Sequence, residues 1–223
     1  MAQQDRAIRT RRAILEAAAS VFDDLGYDRA TIAEVLQRAG TTKGALYFHF
    51  ASKEQLALAV LEEQFVDITL EPQKIKLQEF VDAGQILAHR LRDDPIQRGA
   101  VRLAVEQGSS HLDRRRSMVS WVSWREFAEG LLAEARGRGE LLETVVVRET
   151  AELFVGAFAG LQMMSQAFSN RADLSHRLAV FFEHALPCIA VPSVLVRLDL
   201  DSERGARLEA ALRRGPVADV AAR

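Results

Sequence analysis

Residues 31–50 read TIAEVLQRAGTTKGALYFHF, and this stretch decides the fold. Thr31 followed three residues later by Glu34 is the pattern of a helix N-cap with a capping box, and Gly40 predicts the end of that helix. A second, very short helix is predicted within residues 42–48. Two short helices joined by a glycine turn have the spacing of a helix-turn-helix, whose second helix can enter a DNA major groove.

The second helix of this motif has one side suited to the core and another suited to DNA. Leu46 and Phe50, four residues apart, can anchor it. The opposite side presents Thr42, Lys43, Gly44, Ala45, Tyr47 and His49. A lysine can donate to guanine or phosphate, small residues let the backbone approach base edges, and tyrosine, histidine and threonine suit phosphate contacts. Capped helix pairs also occur in helical proteins that do not bind DNA, so the pattern alone leaves both interpretations open.

The rest of the chain predicts helices too, because apolar residues recur at helical spacing and alternating β-branched residues are almost absent. Gly26 predicts the end of a long first helix, and Ser52 predicts the start of a fourth. Pro72 and Pro95 are interpreted as first-turn prolines. We therefore predict an all-α protein with a small N-terminal helical unit that leads directly into a larger one.

Composition and charge argue against a disordered chain and against a protein that is basic over its whole surface. Hydrophobic residues are 48% and charged residues 27%, which is typical of globular proteins, and the net charge is −2. Two short acid-poor segments, 1–12 and 38–53, are each basic and can form a local phosphate-facing surface. The single cysteine, the absence of a signal-peptide pattern and the polar second half of the uncharged stretch 153–170 predict a cytoplasmic protein with no membrane partner.

No enzymatic or metal-binding pattern is found. The nucleophile-elbow, phosphate-loop, dinucleotide and zinc-protease motifs are missing from the sequence. The five histidines lack the spacing of metal ligands. We therefore expect no catalytic residue, no metal and no cofactor.

Residues 10–56 resemble the DNA-binding domain of TetR-family transcriptional regulators. The shared features are Phe22…Gly26-Tyr27, Thr31-Ile32…Val35…Ala39-Gly40, residues 42–50 and Ser52-Lys53-Glu54. The resemblance implies a three-helix helix-turn-helix domain at 1–52, a larger helical ligand-binding and dimerisation domain at 53–223, and a homodimeric repressor on a palindromic operator in double-stranded DNA. It implies base contacts by Lys43 and Gly44, phosphate contacts by Tyr47, His49, Thr31 and Lys53, and arm contacts by Arg6, Arg9 and Arg12.

Residues 43–50, 61–64 and 124–126 are similar to the γ-butyrolactone receptor group of that family, which regulates antibiotic biosynthesis. This resemblance implies a pocket for a small hydrophobic ligand, with Trp124 as a wall and Gln64 as a hydrogen-bonding residue. Further apolar lining is expected from Phe127, Phe158, Leu161 and Met164. Leu161 stands where the resemblance expects threonine, so a pseudo-receptor that answers an antibiotic, a butenolide or a biosynthetic intermediate is the alternative. A helical non-DNA-binding protein or enzyme is the alternative from another class.

Dimerisation is predicted from the uncharged segment. Gly156-x-x-x-Gly160 allows two helices to approach closely, and the surrounding helix is apolar on more than one face. Close packing inside one subunit would use the same glycines, so both interpretations are kept here.

Overall fold

The structure, a computed structural model, describes residues 2–63, 70–106 and 114–214. Their backbone is helical, with no strand in these ranges and one isolated antiparallel bridge, Leu141–Ala190. The predicted all-α class is confirmed. The helices are α1 Ala2–Arg29, α2 Ile32–Ala39, α3 Lys43–His49, α4 Lys53–Glu63, α5 Lys76–Asp93, α6 Pro95–Val105, α7 Arg114–Gly137, α8 Val147–Ser169, α9 Leu174–Ala185, α10 Pro192–Leu195 and α11 Arg204–Arg214, with a 3-10 turn at Leu186–Cys188.

Local signals in the sequence set several helix ends. Gly26 interrupts α1 with φ 74° and ψ 171°, in the region that favours glycine. The Ser52 hydroxyl accepts the N–H of Gln55 at 3.0 Å, which caps α4 as predicted. Asp94 caps α6 by accepting the N–H of Ile96 at 2.8 Å, with Pro95 in the first turn.

The first-turn assignment of Pro72 is wrong, because α5 begins only at Lys76. A distant carboxylate caps this helix instead. Glu140 accepts the backbone N–H of Lys76 at 2.9 Å and that of Leu77 at 2.7 Å. The start of α5 is therefore set by tertiary structure, which a local sequence pattern does not contain.

The described residues form two compact units. The first combines residues from 1–68 with residues from 93–124, and α1 is packed against α2, α3, α4 and α6. Gly99 of α6 lies so close to α1 that an added Cβ would be 2.4 Å from the carbonyl oxygen of Ala19. Arg98 and Asp23 form an ion pair at 3.0 Å beside this contact. The packing of α6 on α1 thus extends the first unit beyond residue 52, while the functional division at residue 52 remains a prediction.

The second unit, with residues from 69–92 and 125–223, is built around α5. Gly84 leaves room for Phe182 of α9, since an added Cβ would be 3.0 Å from the Phe182 ring. Gly205 lets α11 approach the backbone of α5, since an added Cβ would be 2.1 Å from the carbonyl oxygen of Gln85. Phe80 and Phe154 pack edge to face with ring centroids 5.2 Å apart. Helices α8, α9 and α11 thereby pack against α5, most of whose residues are buried.

Candidate nucleic-acid interface and ligand site

The predicted helix-turn-helix is present in the first unit. Thr31 caps α2 by accepting the N–H of Glu34 at 3.2 Å, and the Glu34 carboxylate accepts the N–H of Thr31 at 2.9 Å. Gly40 ends α2 in the left-handed region, at φ 59° and ψ 36°. Both features of the capping-box prediction are confirmed.

Helix α3 has the two sides that its sequence predicts. Leu46 is completely buried and Phe50 is 2% exposed, so both anchor the helix in the core of the first unit. Lys43 and Gly44 are exposed at the start of the helix, and Tyr47 is 44% exposed one turn later. The Lys43 ammonium lies 5.9 Å from the centre of the Tyr47 ring. Ala45 and His49 are half-buried at the borders of this surface.

Phe48 is a surface residue that sequence reasoning missed. Its side chain is 80% exposed, and its ring meets the His49 ring edge to face at 5.0 Å. A phenylalanine is normally assigned to the core. The helical angle between positions 46 and 48, about 200°, was the available signal, because it places Phe48 opposite the buried Leu46.

The two N-cap threonines differ in their capacity for phosphate. The Thr42 hydroxyl accepts the N–H of Ala45 at 3.3 Å, which uses a lone pair and leaves its hydrogen for donation. The Thr31 hydroxyl donates its hydrogen to Glu34 at 2.7 Å. These hydrogen bonds from Thr31 lower the pKa of the Glu34 carboxyl. Of the two predicted phosphate donors, Thr42 is therefore the one whose hydroxyl hydrogen is available to a phosphate.

Lys53 is bound to residues 27–30, which form the last turn of α1 and the residue after it. Its ammonium donates to the carbonyl oxygens of Tyr27 at 2.7 Å and Ala30 at 2.9 Å, and it lies 4.4 Å from the centre of the Tyr27 ring. Partial burial lowers the pKa of Lys53. This geometry gives Lys53 a structural role, and its phosphate contact remains a prediction.

Glu106 fastens the same turn from another helix. Its carboxylate, just after α6, accepts the backbone N–H of Tyr27 at 3.0 Å. It covers Gly26 so closely that an added Cβ there would lie 2.4 Å from a carboxylate oxygen. Arg102 pairs with Glu106 at 2.7 Å. Lys53 and Glu106 together hold Tyr27 by its carbonyl and its N–H.

The arginines of the basic segments are largely engaged within the first unit. Arg12 pairs with Glu16 at 2.7 Å and with Glu63 at 3.0 Å, which ties α1 to α4. Arg38 pairs with Asp24 at 2.7 Å. Arg6 and Arg9 are exposed within the helical start of α1, where Arg9 donates to the carbonyl of Asp5. The predicted arm is therefore helical where the structure describes it.

The predicted ligand residues are placed less completely. Gln64 lies outside the described residues. Trp124, half-buried, belongs to the first unit, and half-buried Phe127, Phe158 and Leu161 belong to the second. Met164 is 49% exposed on α8, one turn after Leu161.

An apolar face runs along the outer side of α8. It comprises Leu153, Gly156, Gly160, Met163, Met164 and Phe168, all exposed. An added Cβ at Gly156 or Gly160 would have no heavy atom within 4 Å. Close packing of these glycines inside the subunit is therefore wrong, and the face is available for another molecule.

Two features are absent from residues 2–63, 70–106 and 114–214. No helix there combines the length and hydrophobicity of a membrane span. No three His, Cys, Asp or Glu side chains in those ranges are grouped so that they could hold a metal ion.

Comparisons with known proteins agree with this geometry. Residues 14–60 match the model of bacterial regulatory proteins of the tetR family. The chain is 42% identical over 201 residues to the A-factor receptor protein of Streptomyces griseus, covering 89% of this chain and 70% of that protein. Its fold is similar to that of TylP, a TetR regulator from Streptomyces fradiae, with 45% identity, a TM-score of 0.80 and coverage of 95% and 94% of the two chains. It is also similar to a γ-butyrolactone receptor described as ArpA-like, with 27% identity, a TM-score of 0.65 and coverage of 92% and 98%.

These relatives are regulators and receptors rather than enzymes, and they confirm the resemblance noted in the sequence. The alternative of a helical enzyme or non-DNA-binding protein is therefore wrong. The capped helix pair, its exposed second helix and the long match to these proteins lead to one assignment. The chain belongs to the TetR family of bacterial regulatory proteins.

Proposed function

We propose that this chain is a cytoplasmic transcriptional repressor that binds a palindromic operator as a homodimer and is released by a small hydrophobic ligand. The observation that carries the proposal is the surface of α3. Its first turn exposes Lys43 and Gly44, while Leu46 and Phe50 hold the other side in the core. This is the arrangement by which a recognition helix presents its N-terminal residues to base edges.

Each residue of the α3 surface has a role in the proposed complex. Lys43 donates to guanine O6 or N7, or to phosphate, and Gly44 lets the backbone approach the bases. Tyr47, His49 and the Thr42 hydroxyl contact phosphates on either side. Phe48, because it is apolar and exposed, contacts sugars or a thymine methyl group.

The test of DNA binding compares Lys43→Ala with Lys74→Ala, which removes the same charge from an exposed site in the second unit. The probe is a duplex that the wild-type protein selects from a random library, and binding is followed by gel shift over a range of salt concentrations. We expect Lys43→Ala to weaken binding by about 1–3 kcal/mol and to relax the preferred sequence if Lys43 reads a base. Equal binding by the two variants would refute the assignment of α3.

The dimer is supported by the apolar face of α8. Its two glycines allow backbones to approach, and its leucine, methionine and phenylalanine side chains supply apolar area that water otherwise covers. A twofold axis through such a face makes it contact its own copy. The two α3 helices then reach half-sites about 34–36 Å apart on the operator.

The ligand is proposed to be a γ-butyrolactone, because the relatives include one named the A-factor receptor protein and one named a γ-butyrolactone receptor. Binding is proposed to involve Gln64, Trp124, Phe127, Phe158, Leu161 and Met164. The fourth helix, which would carry Gln64 if it continues, is proposed to tilt when the ligand binds and so to change the half-site spacing. Release of operator by A-factor should then be lost in Gln64→Ala, and equal release from both proteins would contradict this step.

The pseudo-receptor alternative follows from Leu161, which has no hydroxyl and is half-buried on α8. If a lactone needs that hydrogen bond, Leu161→Thr should strengthen A-factor binding roughly five-fold, or about 1 kcal/mol. Mass spectrometry of small molecules that copurify with the wild-type protein distinguishes the two ligand classes. An antibiotic or biosynthetic intermediate in that extract, with no response to A-factor, would favour the alternative.

A further inference from the structure

Gln85 is a completely buried polar residue in the middle of α5. Neither its Nε2 nor its Oε1 atom has a hydrogen-bond partner in the described part of the chain. A buried amide that loses its bonds to water without replacing them destabilises the folded protein. Native proteins pair nearly all such groups, so this amide points to a partner that is not part of the chain.

Two other polar side chains of α5, Gln78 and Asp82, already have hydrogen-bond partners. The Gln78 amide donates to Asp82 at 2.7 Å and to the carbonyl of Asp199 at 3.0 Å, and its oxygen accepts the N–H of Asp199 at 2.8 Å. Asp82 also accepts two hydrogen bonds from Arg204. Gln78 and Asp82 lie on nearly the same side of α5 as Gln85. Their hydrogen bonds are nevertheless made without it.

The neighbouring backbone does not pair with the amide either. Gly205 brings the backbone of α11 against the carbonyl of Gln85 and has no side chain to offer there. The cations of this region are taken, since Arg90 pairs with Glu209 and Arg204 pairs with Asp82 and Asp199. Neither of these two arginines is therefore left to neutralise an anionic group beside Gln85.

We propose that Gln85 is a ligand-binding residue that selects a neutral, largely apolar molecule with a carbonyl or lactone group and a hydroxyl group. Its Nε2 donates to the carbonyl oxygen, and its Oε1 accepts the hydroxyl hydrogen. The inference rests on the proposed function, because it takes this chain to bind a small hydrophobic ligand. It deepens that function by adding a residue that the family resemblance did not supply.

A buried water is the competing partner, because internal waters commonly satisfy otherwise unpaired groups. A water would make Gln85 a structural residue with no effect on ligand affinity. The two explanations differ in what happens when the amide is replaced by an apolar side chain of similar size.

The experiment compares Gln85→Leu with the matched control Gln78→Leu, two turns earlier on the same helix. The control removes an amide whose bonds are all made, so its melting temperature should fall. Gln85→Leu should melt at the wild-type temperature or above it, because it removes an unpaired amide. Calorimetric titration with A-factor should show affinity weakened roughly 5- to 100-fold, corresponding to two lost hydrogen bonds, while operator binding without A-factor is unchanged.

A melting temperature lowered as much as in Gln78→Leu, or A-factor affinity equal to wild type, overturns the role of Gln85. Failure of the proposed function gives a different result: wild-type protein that binds operator and ignores A-factor contradicts the lactone. In that case the melting temperatures still decide: a melting temperature of Gln85→Leu at or above that of the wild type supports an amide without a partner in the chain, and a lower one refutes it.

Discussion

Replacing Glu106 tests how the last turn of α1, around Tyr27, is held in place. Glu106→Met removes the acceptor of the Tyr27 N–H, whereas Glu106→Gln keeps an acceptor oxygen at the same distance along the side chain. Both variants lose the same charge and the same ion pair with Arg102. The difference between them therefore isolates the 3.0 Å hydrogen bond.

The expected size follows from burial. Tyr27 is only 7% exposed, so its N–H in Glu106→Met is left poorly solvated, and a hydrogen bond to a charged acceptor contributes about 1.5–3 kcal/mol. The partly exposed Arg102 pair adds about 0–1 kcal/mol to the loss in both variants. We expect Glu106→Gln to lose about 1 kcal/mol of unfolding free energy and Glu106→Met about 2–3 kcal/mol.

The assay is urea unfolding of the full-length protein at one fixed concentration, together with operator affinity by gel shift. Loss of a negative charge, if it acted only through long-range electrostatics, would change operator binding equally in both variants. A loosened turn should instead weaken binding in Glu106→Met relative to Glu106→Gln. Equal stability and equal operator affinity of the two variants would show that Glu106 does not fix the turn.

Three further outcomes are expected. Leu153→Lys places an ammonium on the apolar face of α8 and should convert dimers to monomers in sedimentation, whereas Val196→Lys, at a residue 82% exposed elsewhere in the second unit, should not. Gly99→Ala should lose about 1–3 kcal/mol in urea unfolding because its Cβ meets the backbone of α1, and Gly130→Ala, on an open stretch of α7, should gain about 0.5–1 kcal/mol. Hydrogen bonds to Asp173 from Arg177 and two serines lower the pKa of its carboxyl below the unfolded value. The carboxylate therefore stabilises the fold above about pH 4, and this stabilisation is lost as the pH falls through the folded pKa. The difference in unfolding free energy between wild type and Asp173→Asn should close in acid, and a difference that is constant with pH would contradict this pairing.

The helix-turn-helix could be predicted because its determinants are local. Thr31, Glu34 and Gly40 act within one or two turns of the helix they limit, and the spacing of Leu46 and Phe50 fixes which side of α3 is buried. The same helical spacing predicts an exposed Phe48, if position on the helix is weighed above residue type. Local patterns were therefore sufficient wherever a side chain acts on its own helix.

Long-range contacts account for what the sequence could not predict. The cap of α5 is Glu140, more than sixty residues away, so Pro72 was a misleading signal. Lys53 is a cation in a basic segment, which favoured a phosphate contact, yet the carbonyls it binds belong to Tyr27 at the end of α1 and to Ala30 just after it. Gln85 attracts no notice in the sequence, because an amide becomes informative only when its burial and its missing partners are known.

The clamp on Tyr27 also bears on how a signal can reach the DNA-binding helices. Residues 26–30 are held by Lys53 at the start of α4 and by Glu106 just after α6, and Gly99 binds α6 tightly along α1. α6 follows α5 in the chain with only Asp94 between the two helices. Since the contact of α6 with α1 is a close backbone approach, α6 cannot slide along α1 without breaking it. A displacement of α6 would therefore move α1 and residues 26–30 with it. Helices α2 and α3 would then reorient together as one rigid body.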